Sequence, residues 1–232
     1  MKTIIVSGVA AAMLVAGPAA SATYSAYDQF AVAGGVITAA NFAFGYATSG
    51  YAGADAITAF DIFETACAGD ANLQCARAAN GASVVKAAGA YDQPGTPFFD
   101  AGELNLHPGA GNQTTVVQFI VPISGLYSFS GAFTANDSSP NSVDVAAYVS
   151  GVSQIANSRG AFSFDADLTA GQKVSFALGS AGDYSFDSTG FALSVTGPDG
   201  APGVPEPASW ALMILGFGGV GAMMRRRRVA TA

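Results

Sequence analysis

His107 is the single histidine of the chain, and Leu106-His107-Pro108-Gly109 reads as a turn entering a strand. A catalytic imidazole needs a nucleophile or a second acid–base group beside it, and no Ser or Cys nucleophile motif accompanies this one. The ring is expected to hydrogen-bond locally, and no catalytic residue is assigned. Cys67 and Cys75 enclose seven residues. A zinc site would need more ligands than one histidine and two sulfurs supply. In an exported chain the two cysteines are expected to form a disulfide that pins the loop Ala68 to Gln74, stabilising the fold by roughly 2–3 kcal/mol.

Carboxylates offer two further chemistries. Asp137, Asp183 and Asp187 lie in loops beside Gly, Ser and Asn. Such oxygens could serve a calcium ion, which also takes backbone carbonyls, but no EF-hand spacing is present. Turn carboxylates that cap backbone amides are the simpler reading, so no metal and no cofactor is assigned. Asp165 and Asp167 share one parity of a strand. A glycosidase pair would have to flank a cleft, and an outward strand face is the expected place for these two.

Tyrosines are the remaining recognition groups. Tyr148 falls on the polar parity of its strand, and Tyr184 sits in the loop from Ser180 to Ser188. Rigid amphipathic rings suit contact surfaces, so these two are the candidate glycan contacts. Tyr24, Tyr27, Tyr46, Tyr51 and Tyr91 populate a loop-rich first half.

Period-2 alternation identifies the elements that carry these groups. Thr115 to Val121 reads as a strand closed by Pro122. Tyr127, Phe129 and Phe133 share one parity, with Ser128 and Ser130 on the other. Val143, Val145, Ala147 and Val149 alternate with Asp144, Ala146, Tyr148 and Ser150, and further strands follow around Phe164, Phe176 and Leu193. Short strands at this spacing favour an antiparallel sandwich or barrel. The expected inward set is Phe119, Tyr127, Phe129, Val145, Val149, Phe164, Phe176 and Leu193. In the first half Gln29 to Ala33, Asn41 to Tyr46, Ala56 to Phe63 and Ser83 to Ala88 are candidate strands, and Cys75 to Ala79 could equally be a helical turn.

The two ends read differently. Lys2, the apolar stretch Ile4 to Ala16, the Gly17-Pro18 break and the small residues Ala20-Ser21-Ala22 form a signal peptide, with signal peptidase expected to cut before Thr23. At the other end Trp210 to Met224 is apolar, about 22 Å long as helix, and Arg225 to Arg228 follow. The run is short for a bilayer core, and four arginines hold its end in the cytoplasm. Between these ends lie four basic residues (Arg77, Lys86, Arg159, Lys173) and fifteen acidic ones, a formal charge of 4 − 15 = −11. Nucleic acid is excluded as a partner, because phosphate binding needs clustered cations.

The tail closely resembles the PEP-CTERM sorting signal of Gram-negative bacteria, in its PEPxxWA form. Pro205-Glu206-Pro207, Trp210-Ala211, the glycine-rich span and Arg225, Arg226, Arg227 and Arg228 match in order. That resemblance implies a membrane exosortase as partner. It further implies anchoring in the inner membrane facing the periplasm, delivery to the cell surface or extracellular matrix, and a setting of exopolysaccharide export.

A second resemblance covers roughly Thr23 to Thr196. Val116-Val117-Gln118-Phe119, Gly125-Leu126-Tyr127, Leu168-Thr169-Ala170-Gly171-Gln172, Val174-Ser175-Phe176-Ala177-Leu178-Gly179 and Asp187-Ser188-Thr189-Gly190 carry it. They resemble a β-sandwich module of exported bacterial proteins, of the jelly-roll kind used by carbohydrate-binding domains. Such modules often carry early tryptophans, whereas Trp210 is the sole one here. Sugar platforms would have to be Tyr or Phe.

The resulting expectation is an all-β, antiparallel two-sheet sandwich of the jelly-roll type between a signal peptide and one transmembrane helix. Residues 1–22 form the signal peptide, 23–200 the ectodomain, 201–207 the linker with the Pro-Glu-Pro motif, 208–228 the transmembrane sorting tail and 229–232 a cytoplasmic end. The expected function is that of an exported, non-catalytic surface or matrix protein contacting exopolysaccharide. A carbohydrate-binding module with a defined ligand is the alternative, and a glycan-active hydrolase using aspartates ranks behind both.

Overall fold

Alternation along the chain decides which face of each strand is buried. In the strand β11 (Gly125–Ala135), Tyr127, Phe129 and Phe133 are buried while Ser128 and Ser130 are exposed. The computed structural model describes residues 21–48, 51–53, 56–92, 97–155 and 157–199. These residues form β1 (Ser21–Ser25), α1 (Ala26–Gln29), β2 (Ala31–Ala33), β3 (Val36–Thr38), β4 (Phe42–Ala47), β5 (Thr58–Ala59), β6 (Ile62–Glu64), β7 (Leu73–Arg77) and β8 (Ser83–Ala87). After these come β9 (Leu104–His107), β10 (Thr114–Ile120), β11, β12 (Val143–Val149), β13 (Val152–Ser153), β14 (Gly160–Leu168), β15 (Lys173–Ser180) and β16 (Thr189–Pro198).

Two antiparallel sheets face each other. The first runs β14-β11-β16-β9-β8-β7-β6, with β1 also paired to β16; the second runs β13-β12-β15-β10-β4-β5. A small separate pair joins β2 and β3. The core between the sheets is aromatic. Phe176 of β15 meets Phe129 at 6.1 Å, Phe162 at 5.7 Å and Phe191 at 5.5 Å, all three on the opposite sheet. Phe119 of β10 likewise meets Phe129 at 5.9 Å. All eight residues of the expected inward set join this core. Phe119, Tyr127, Phe129, Val145, Phe176 and Leu193 are buried, and Val149 and Phe164 pack against them half-buried.

The first half departs from the sequence reading in several places. Cys75 to Ala79 is not a helical turn, because Leu73–Arg77 pairs with β6 on one side and β8 on the other. Ladder pairing on both edges overrides the helix preference of its alanine. Gln29 is helical rather than extended. Ser25 caps the single turn of α1, its Oγ accepting from the Asp28 amide at 3.1 Å, and the strand begins only at Ala31. The stretch Ala56 to Phe63 is two strands in different sheets, since β5 pairs with β4 and β6 with β7. The chain changes sheets at Phe60, which is buried between them. His107 ends a strand instead of lying in a turn.

Among the described residues no helix is long and apolar enough to cross a membrane. The signal segment up to Ala20 and the tail from Gly200, including the expected transmembrane helix, lie outside the described residues.

Candidate functional site

The outer face of the second sheet carries a groove of about 780 Å³. Its floor follows from parity: Asp144, Ala146 and Tyr148 on β12, Ala177 and Gly179 on β15, and Thr114 on β10 point away from the core. Small residues in the middle leave the hollow. Tyr51, Asn112, Ser153, Asn157 and the turn from Ser180 to Gly182 supply its walls.

Tyr51 is fixed over the sheet. Its hydroxyl donates to Ser175 Oγ at 2.8 Å, and Gln118 Nε2 donates to Ser175 Oγ at 3.2 Å. This buries Gln118 and Ser175 on a face that would otherwise meet solvent, and it explains why β10 and β15 are buried on both sides. The rings of Tyr51 and Tyr148 meet edge-on at 5.9 Å, and the Tyr148 hydroxyl donates to the Tyr51 carbonyl at 3.4 Å. Gly53 makes this crossing fit. A Cβ there would stand 2.7 Å from Cβ and Cγ of Tyr148, and its φ of +80° favours glycine. A second hollow of about 490 Å³, lined by Ala52, Gly53, Ser150, Gly151 and Lys173 among others, lies on the far side of the crossing.

The groove is equipped to hold polar, ring-shaped molecules. It offers two phenol rings, side-chain amides from Asn112 and Asn157, and hydroxyls from Thr114, Ser153 and Ser180. Asn157 Nδ2 donates to Asp144 Oδ1 at 2.9 Å, which orients this carboxylate in the groove lining.

The expected contact residues separate. Tyr148 lines the groove, whereas Tyr184 is absent from its lining. Tyr184 is exposed and stands edge-on to His107 at 6.4 Å. His107 Nδ1 is 2.7 Å from the Pro108 carbonyl, a local hydrogen bond. Tyr51, Asn112, Thr114 and Asn157 were not singled out as contacts by sequence reasoning. Asp144 was legible in principle, four residues before Tyr148 on the same strand parity.

Cys67 and Cys75 form a disulfide with Cα atoms 5.8 Å apart. Among the described residues, Glu64, Cys67 and Cys75 are the one set of three metal-ligating side chains whose ligand atoms fall within 4.8 Å of one another. The disulfide occupies both sulfurs, so no metal centre follows. Asp165 and Asp167 are exposed on β14, an edge strand of the other sheet.

Asp137, Asp183 and Asp187 are brought to one end of the sandwich. The Asn136 amide donates to the Ser188 carbonyl at 3.0 Å, and the Ser188 amide donates to Asp137 Oδ2 at 2.9 Å. Asp183 is held differently. It is exposed, and the Ser185 amide donating to its Oδ1 at 3.0 Å keeps its pKa low. Asp187 is fully buried. Burial pushes its carboxyl up to about 6, with Asp183 and Asp137 adding to the rise and the Arg159 guanidinium opposing it.

Ala20, Ala22 and Thr23 flank the expected signal cleavage. Ala22 and Thr23 lie in β1, opposite Gly197 and Thr196, and Ala20 lies outside the described residues. So do Pro205, Glu206, Pro207, Trp210, Ala211 and Arg225 to Arg228.

Comparison with solved structures returns distant likenesses. A β-glucosidase from Kluyveromyces marxianus is 14% identical over 41% of this chain and 11% of its own, with a TM-score of 0.25. The isomalto-dextranase of Arthrobacter globiformis T6 complexed with panose is 16% identical over 54% of this chain and 23% of its own, at 0.26. The enzymatically active domain of tailspike protein 4 from bacteriophage CBA120 is 12% identical over 75% of this chain and 22% of its own, at 0.27. The chain thus spans under a quarter of the length of each, and likenesses this weak carry no argument about its activity. No curated protein matches the chain. Residues 203–228 match the PEP-CTERM protein-sorting motif, which implies an exported protein anchored through its C-terminus and processed by an exosortase-type protease.

Proposed function

We propose that this chain is a non-catalytic surface or matrix protein, sorted by an exosortase and contacting exopolysaccharide through the groove on its second sheet. The observation that carries the reading is the sorting motif at residues 203–228. Signal peptidase removes the N-terminal segment, and the protein faces the periplasm of a Gram-negative cell before reaching the surface.

The order β9-β16-β11-β14 in one sheet and β10-β15-β12-β13 in the other supports the jelly-roll reading of the domain. Among the described residues Asp144 is the sole carboxylate lining the groove, and two-carboxylate glycoside hydrolysis needs a facing pair. Asp165 and Asp167 lie on the other sheet, which favours contact over turnover. An open groove with two half-buried rings suits weak contacts made by many copies.

The second reading, a carbohydrate-binding module with a defined ligand, is favoured by the edge-on pair of Tyr51 and Tyr148. A glycan-array and exopolysaccharide-binding screen of the full-length chain in detergent tests both. Weak binding across acidic and neutral polysaccharides, reduced about tenfold by Tyr148→Ala, supports the matrix reading. Saturable binding of one glycan supports the module. Release of sugars, abolished by Asp165→Asn, would overturn the non-catalytic assignment.

A further inference from the structure

Asp187 inverts the usual order of its loop. Phe186, an aromatic ring, is 56% exposed, while the adjacent Asp187 carboxylate is 0% exposed. Phe186 adopts a φ of +60°, uncommon for a bulky residue, and this is the backbone turn that sends the ring outward and the acid inward. Neither carboxylate oxygen of Asp187 has a hydrogen-bond partner. A buried carboxylate normally accepts two or three hydrogen bonds or meets a cation.

The nearby guanidinium does not fill that role. Arg159 spends its donors on neutral acceptors: Nε and Nη2 on Thr189 Oγ1 at 3.1 and 2.9 Å, and Nη1 on the Asn141 carbonyl at 2.6 Å. The ion pair of Arg77 with Glu64 lies elsewhere in the fold. The charges of Asp183 and Asp137 act on Asp187 in one sense, and the Arg159 guanidinium acts in the other.

We propose that Asp187, with Asp137, binds a divalent cation of the calcium type between the loop after β11 and the loop before β16. Asp187 presents two unused oxygens. Asp137 uses one oxygen on the Ser188 amide, and no hydrogen bond engages the other. Backbone carbonyls, hydroxyls and water complete the six to eight oxygens that calcium takes, in the flexible geometry that magnesium does not accept. The three carboxylates do not come within 4.8 Å of one another as a set, so binding draws the two loops together, and Asp183 acts through its charge. Neither Asp137 nor Asp187 lines the groove, although Ser180 to Gly182 at the start of the loop before β16 do. Calcium binding and glycan binding are read by separate measurements, so failure of one is distinguishable from failure of the other.

The test is calcium titration of the full-length chain in detergent at neutral pH, read by calorimetry and by thermal melting, with magnesium in parallel. The wild type should bind calcium in the range of extracellular modules, about 10⁻⁴ to 10⁻³ M. At tenfold excess over Kd its midpoint should rise by about 3–5 °C. Asp187→Asn should keep the native circular dichroism and lose both signals. If Asp187→Asn does not fold, Asp137→Asn is read instead and should weaken calcium at least about tenfold. No calcium response in the wild type overturns the site, as does an unchanged response in the variant that folds or an equal response to magnesium.

Discussion

A methyl group at Gly197 would stand 2.1 Å from Cε1 of Tyr127. The ring has no room to yield. It is fully buried, packs on Phe119 at 5.7 Å, and is tied by its hydroxyl to the Ile123 carbonyl at 2.8 Å. Gly197 belongs to β16, paired there with Ala22 of β1, so one tyrosine underlies both ends of the described fold. Gly197→Ala should destabilise the domain by about 1–3 kcal/mol through overpacking. Urea denaturation measures this, and an unchanged midpoint would show that the contact relaxes without cost.

Phe176 is the aromatic hub between the sheets, meeting Phe129, Phe162, Phe164 and Phe191. It is fully buried on a central strand flanked by β10 and β12. Phe176→Ala should cost about 3–5 kcal/mol, because the surrounding rings are held by both sheets and collapse only partly into the space. A loss below about 1 kcal/mol, well under the range for a buried aromatic, would mean that the core is not packed as described.

The second half was legible because each strand obeys one clear parity. Tyr127, Phe129, Val145, Phe176 and Leu193 announce a face by alternation alone, and all are in the core. The first half hides its pairing in short segments. Thr58–Ala59 and Ile62–Glu64 read as one run but join different sheets, because a break at Phe60 is set by tertiary burial and not by local pattern. The groove was partly legible. Tyr148 announces itself by facing the polar side, but Tyr51 reaches the same face from a loop 97 residues earlier, a placement that no local period encodes. The buried state of Asp187 was invisible for the same reason, since a loop aspartate ordinarily faces water.

Asp187 makes stability depend on pH in an unusual direction. Its folded pKa of about 6 lies above the ordinary 3.8, so the folded state binds the proton more tightly than the unfolded chain. Its favourable contribution is full below about pH 4 and is lost as pH rises through about 6. In metal-free buffer the domain should therefore gain on the order of 2–3 kcal/mol from this group on acidification across that window. Asp187→Asn should flatten the profile there and raise stability near neutrality. Chemical denaturation at stepped pH measures it, and a wild type that loses stability from pH 6 to 4 while Asp187→Asn tracks it would refute the assignment.

The disulfide closes a loop beside a small satellite core of Leu73, Ala87 and Phe99 rather than the main one. Reduction should therefore loosen β7 and its neighbours first and lower stability by about 2–3 kcal/mol. Hydrogen exchange with and without reductant distinguishes the local effect: faster exchange across Leu73–Arg77 with Val116 to Phe119 still protected is the expected pattern. Uniform loss of protection in both sheets would show that the satellite is coupled to the whole sandwich.

The sorting tail ties the sandwich to the membrane through the same strand that pairs with its beginning. Cleavage before Thr23, as proposed, would take Ser21 and Ala22 out of β1, away from their partners Pro198 and Gly197, and leave Thr23, Tyr24 and Ser25 paired to Thr196, Val195 and Ser194. Tyr24 keeps that remnant in place by packing on Phe119 at 5.3 Å. The exported protein should therefore begin at Thr23 with its first strand intact. Recognition by an exosortase-type protease rests on residues 203–228, past the end of β16 at Pro198, so replacing Pro205, Glu206 and Pro207 by alanine should leave folding unchanged and block processing. Fractionation of cells with mass spectrometry of the product checks both points. The altered chain should remain whole in the membrane fraction with the wild-type melting midpoint, while the wild type appears shortened at its C-terminus. Equal processing of the two chains would place recognition in the arginine cluster or the apolar run instead of the Pro-Glu-Pro.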